Sequence, residues 1–195
     1  MKKFGFIIAM LMLVSTNFKA FAQEATDPWQ GFNVSYNYNA GGYDVNVHGI
    51  SVGYLRGFSL SSSTPIFIET GLNFAYGRYS EDYGGYDAYV DQLNLSLPVN
   101  FAYKFQLSDN VALIPYTGVY FRVNLMANLG VKGYDLSESL FDYIDGPTRF
   151  NAGWQIGLKT HIKKFMVGVC YGTDFNKYMG DVRFDNLSVN VGFNF

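Results

Sequence analysis

Between Gln92 and Phe105 the chain alternates without a break. Leu93, Leu95, Leu97, Val99, Phe101, Tyr103 and Phe105 are separated by Asn94, Ser96, Pro98, Asn100, Ala102 and Lys104. A β-strand sends successive side chains to opposite faces, so this stretch has one oily face and one polar face. The last nine residues repeat the pattern, with Leu187, Val189, Val191, Phe193 and Phe195 set against Ser188, Asn190, Gly192 and Asn194. Strands of this kind fit a membrane wall whose oily face meets lipid and whose polar face lines a lumen.

Eight stretches pass the period-two test. They begin near Gly31, Val45, Ile66, Gln92, Val111, Phe150, Phe165 and Leu187. Each is long enough to cross a thin outer membrane at a tilt of roughly 45°. Pro98 lacks the N–H of a ladder hydrogen bond, and the reading places a local bulge there. Long connections are expected near 40–45, 79–91, 127–148 and 177–183, and shorter ones near 58–65, 106–110 and 160–164. Long and short connections thus fall largely on opposite ends, as in membrane barrels with short periplasmic turns and longer outer loops. The 127–148 segment exceeds the usual structureless length and predicts a functional loop or a small element of its own. The fold expected is all-β: an eight-stranded antiparallel up-and-down transmembrane β-barrel over residues 23–195.

Residues 1–22 read as a secretory signal, with Lys2 and Lys3 before an apolar run from Phe4 to Val14 and Ala20-Phe21-Ala22 as the cleavage site. No Cys stands directly after that site, where Gln23 is found, and no later segment offers about 18 consecutive apolar residues. Without Lys2, Lys3 and Lys19 the 14 basic residues fall to 11, against 16 acidic ones, a formal charge of −5. Nucleic acid is therefore excluded as a partner. Cys170 is the only thiol, so no intrachain disulfide is possible and closure of the sheet must supply stability.

An eight-stranded barrel is just wide enough for its side chains to fill, which argues against a general diffusion pore. The inward positions include Glu69, Lys104, Arg122, Lys159 and Asp174, a candidate interior polar network in which the charges must pair. The alternative is a narrow ion path through the same groups. Catalysis would need a His with a Ser and a carboxylate near the outer leaflet. His161 falls in a periplasmic turn, while His48 and Ser51 fall on opposite faces of one strand, so no enzyme, cofactor or metal centre is expected. Glycine, tyrosine and acidic residues gather in the outer loops, as in Gly41-Gly42-Tyr43 and Tyr83-Gly84-Gly85-Tyr86. Those loops are candidates for contact with a surface glycan or a protein ligand, and the wall itself for contact with outer-membrane lipid and lipopolysaccharide.

The residues Ala20-Phe21-Ala22-Gln23, Leu95-Ser96-Leu97-Pro98-Val99-Asn100-Phe101-Ala102-Tyr103-Lys104 and Val191-Gly192-Phe193-Asn194-Phe195 resemble the Bacteroidota-type outer membrane protein beta-barrel domain, or porin-like, family. The resemblance implies a barrel in the bacterial cell outer membrane. It also implies that Phe193 and Phe195 form a C-terminal signal read by the barrel-assembly machinery. Some members of the wider group resemble barrel components of gliding-associated secretion, and that role stays open beside a narrow porin-like channel. The main expectation is a non-enzymatic barrel with a structural or surface-interaction role.

Overall fold

The computed structural model describes residues 26–41, 45–83, 86–132, 137–143 and 146–195. The signal and cleavage site at 1–22, Gly42-Tyr43-Asp44, Gly84-Gly85, Tyr134, Asp135 and Asp145 lie outside the described residues. So do the side chains of Tyr83, Tyr86 and Asp87.

Alternating side chains give long paired strands throughout. In chain order these are β1 (Trp29–Gly41), β2 (Asn46–Ser59), β3 (Ile66–Tyr83), β4 (Tyr86–Tyr103), β5 (Phe105–Ser108), β6 (Val111–Val131), β7 (Ser137–Ser139), β8 (Phe150–Ile162), β9 (Phe165–Asp174) and β10 (Phe184–Asn194). The short β5 resumes the line of β4 after a break at Lys104 and keeps the same register against β6. β7 is a loop strand that pairs back onto β6. The wall therefore has eight members, all antiparallel to their neighbours. β1 pairs with both β2 and β10, and β4 pairs with β6, so the sheet closes on itself. Closure leaves none of the eight as a bare edge.

The parity read from the sequence is the parity of the wall. On β1, Phe32 and Val34 are 60% and 52% exposed, while the intervening Asn33 and Ser35 are each 8% exposed. Leu187, Val189, Val191 and Phe193 on β10 and Phe195 just after it are exposed, and Ser188 and Asn190 are buried. At one height Phe32, Phe193 and Tyr54 lie side by side on three adjacent strands.

Among the described residues, charge reappears on the outer face only at the rims. Arg56 lies over the Phe58 ring at 4.9 Å, and Lys164 over Phe193 at 5.8 Å, both at the short-turn end. Arg78 lies over Tyr89 at 4.5 Å near the opposite end. Arg56 pairs with Thr70 across β2 and β3, eight residues before Arg78, so the apolar band is roughly 20 Å tall for a tilted strand. That is close to the lipid-facing band of outer-membrane barrels.

Three features depart from the sequence reading. The bulge expected at Pro98 lies elsewhere: Pro98 stays in register opposite Tyr120, and the shift falls between Leu93 and Asn94, where Leu125 is the extra residue on β6. Proline removes a rung without needing an inserted residue, and the pairing of β3 with β4 lapses only between Thr70↔Val99 and Asn73↔Ser96. The segment 79–91 is not a loop for most of its length. β3 and β4 stay paired as far as Tyr83↔Tyr86, so this hairpin stands beyond the barrel rim.

The third departure is inside. The lumen is not polar throughout, because Trp29, Phe67, Ala102, Ile114, Tyr116 and Cys170 pack together at the short-turn end. Phe67 and Ile114 are completely buried there. Room for these rings comes from glycine: a β-carbon on Gly157 would stand 2.3 Å from the Tyr116 ring.

Candidate functional site

The lumen is built in layers. Its floor, at the short-turn end, is the apolar cluster just described, and the ion pair Glu69–Lys159 is set into it. β3 and β8 are not neighbours, so the pair reaches across the lumen. Lys159 Nζ donates to both carboxylate oxygens of Glu69, at 2.6 and 2.5 Å. Trp29 Nε1 donates to Glu69 Oε2 at 3.0 Å, and Asn100 Nδ2 to Oε1 at 3.2 Å. Asn100 Oδ1 in turn accepts from Gln155 Nε2 at 2.6 Å. The ammonium also sits 4.6 Å from the Tyr116 ring centre. A buried carboxylate is tolerable only when its oxygens are satisfied in this way, since removal from water costs several kcal/mol per ion.

A second pair lies nearer the long-loop end. Asp174, at the end of β9, accepts from Arg122 Nη2 and from Tyr120 Oη, each at 2.5 Å. Beside it Asn124 Nδ2 donates to Asn151 Oδ1 at 2.7 Å. Of the five charged residues expected inside, four form these two pairs. Lys104 belongs to neither: it stands half-buried in the break between β4 and β5, and its backbone N–H donates to Pro65 O at 2.9 Å.

Above the floor lies an interior cavity of about 140 Å³, lined mainly by amides, hydroxyls and glycines. Its wall includes Asn33, Asn37, Asn73, Gln92, Asn94 and Asn190. Asn33 Oδ1 and Arg122 Nε, both on this wall, are buried without a hydrogen-bond partner.

At the long-loop end, β7 extends β6 through Asn128↔Ser139 and leads into a 3-10 turn at Leu140–Asp142. The small element expected within 127–148 is this strand and turn. Arg149 lies over the Phe141 ring at 4.1 Å, and the exposed Tyr143 hydroxyl donates to Glu138. That bond raises the Tyr143 hydroxyl above its ordinary pKa. The last connection folds back over the mouth, where Tyr178 packs against Phe184 and Val47. In the same connection Lys177 donates to Asp181 and holds that carboxyl below the usual range. Gly180, at φ +53°, makes the turn between them.

His48 and Ser51 point to opposite sides of the wall. His48 faces outward, its Nδ1 sharing a hydrogen bond with Tyr36 Oη at 2.6 Å, whereas Ser51 Oγ accepts from Asn37 inside at 3.0 Å. His161 is buried at the short-turn end, 5.6 Å edge-on from Trp29. Phe193 and Phe195 both face outward; Phe195 stacks on Phe32 at 5.5 Å, and Phe193 meets Phe165 edge-on at 5.9 Å. The residues that a strict polar-inside reading misses are Trp29, Phe67 and Ile114. For Phe67 and Ile114 the signal is the unbroken apolar runs Ile66-Phe67-Ile68 and Leu113-Ile114.

No protein-family model matches the chain, and no curated protein matches it. Solved structures do. The outer membrane enzyme PagL is 14% identical, with 83% of this chain and 98% of that chain covered at a TM-score of 0.50. Ail, the attachment invasion locus protein of Yersinia pestis, solved with the heparin analogue sucrose octasulfate, is 15% identical over 87% of this chain and 99% of that one, at 0.48. Neisserial surface protein A is 15% identical over 86% and 97%, at 0.45. The likeness to PagL extends to the fold: this chain is a closed eight-stranded transmembrane barrel of the outer-membrane type.

Proposed function

We propose that the protein is a non-enzymatic barrel of the bacterial outer membrane that holds its long hairpins outside the cell for contact with a surface glycan or protein. The observation that carries this reading is the division of labour along the barrel axis. The short-turn end is filled by Trp29, Phe67, Ile114 and the Glu69–Lys159 pair, which weighs against transit through the lumen. At the other end the β3–β4 hairpin and the β6–β7 extension project beyond the wall and carry the exposed Tyr143. The outward band of Val, Leu, Ile and Phe would be covered by membrane lipid. His48, tied to Tyr36 on the outer face with Ser51 inside, supports a non-catalytic role.

Planar-bilayer recording tests the closed floor. Reconstituted protein is expected to give no uniform conductance steps, and steady steps abolished by Glu69→Ala would overturn the reading in favour of a narrow channel. A photo-crosslinking residue in place of Tyr143 on intact cells tests the outer contact. A discrete adduct that disappears when 80–89 are deleted is expected; adducts with lipid alone would count against it.

A further inference from the structure

We infer that the cavity above the floor is a blind binding well for a small neutral polyhydroxy molecule, of the size of a single hexose unit. Its access is graded. Along β1 the inward side chains pass from buried Asn33 and Ser35 to half-exposed Asn37 and Asn39, and along β4 from buried Asn100 and Pro98 to half-exposed Ser96, Asn94 and Gln92. On the side of β1 and β4 solvent therefore reaches the wall from the long-loop end and stops at the apolar floor, while Val47 on β2 and Asn151 on β8 are buried at that end.

The chemistry of the wall selects the ligand. Both buried ion pairs on it are internally neutralised, so a charged guest would be desolvated with no counter-ion. Amides offer donors and acceptors on the same side chain, which is what a ring bearing several hydroxyls requires. The volume of about 140 Å³ corresponds to about five waters at roughly 30 Å³ each. A sugar that replaced them would take over their hydrogen bonds to the amide wall and release the waters together.

The probe is glucose, titrated into isotope-labelled protein in detergent micelles while side-chain amide resonances are followed. Saturable shifts of Asn33, Asn94 and Gln92 are expected, with an affinity in the millimolar range. Asn33→Leu should weaken binding at least tenfold, and Asn94→Leu, at a half-exposed position that tolerates change, by severalfold. Absence of saturation up to about 100 mM would overturn the inference. So would shifts confined to Phe141 and Tyr143, or equal affinity for glucose 6-phosphate, since Arg122 and Lys159 on the wall are already paired with Asp174 and Glu69.

Discussion

Glu69 and Lys159 stand 90 residues apart in sequence and meet in the lumen, with Lys159 Nζ 2.6 and 2.5 Å from the two carboxylate oxygens. The pair ties β3 to β8 across strands that do not touch. Lys159→Met leaves a buried carboxylate with only Trp29 and Asn100 as donors, and should cost about 3–5 kcal/mol. Urea unfolding of the refolded barrel, followed by Trp fluorescence, measures it. Glu69→Gln combined with Lys159→Met should recover most of that loss; if the double variant is as unstable as the single, the pair is not what holds the floor.

Tyr116 fills the space above Gly157, where any β-carbon would stand 2.3 Å from its ring. Gly157→Val should therefore overpack the lumen and destabilise the barrel by about 1–3 kcal/mol. Heat-modifiable migration on detergent gels gives the readout, because the folded band should be lost at a lower temperature. Adding Tyr116→Ala to the variant should restore part of the stability, and failure to do so would place the clash elsewhere.

The turn from β8 to β9 holds Lys163 at φ 55°, a left-handed conformation for a residue with a β-carbon. Lys163→Gly should stabilise the barrel by about 1 kcal/mol, read as a higher urea midpoint at unchanged slope. No increase would mean that the cationic side chain contributes as much at the membrane rim as its backbone strain costs.

Phe195 stacks on Phe32, so a change at either residue removes the same ring pair, worth about 0.5–1.5 kcal/mol beyond its buried area. The two substitutions separate stability from recognition. Phe195→Ala and Phe32→Ala should fold equally well into micelles. Only Phe195→Ala should lower the folded fraction recovered from cell membranes, if the assembly machinery reads the final strand. Equal losses in cells would reduce the terminal aromatics to ordinary lipid-facing side chains.

The wall was legible because the pleat fixes parity. Once Leu93 to Phe105 alternates, the backbone leaves no freedom over which residues share a face. The same logic puts His48 and Ser51 on opposite faces, as their contacts with Tyr36 and Asn37 require. Three features escaped it. Partners such as Arg122 and Asp174 depend on the stagger between strands, which no single strand encodes. The apolar floor breaks the rule that the lumen is polar, and only the runs around Phe67 and Ile114 hint at it. The hairpin beyond Tyr79 reads as a loop because its side chains become acidic and aromatic on both faces, while its backbone goes on pairing as far as Tyr83 and Tyr86.

The seam where β1 meets β10 joins Gly31 to Asn194 and Gly41 to Phe184, so the barrel closes through the longest sequence separation it contains. Until those rungs form, the curled sheet has two unpaired borders, and each can recruit a strand from another molecule as readily as its own counterpart. Closing those rungs converts a two-bordered ribbon into an edgeless shell. The same seam thereby separates a solitary barrel from a chain that pairs with its neighbours.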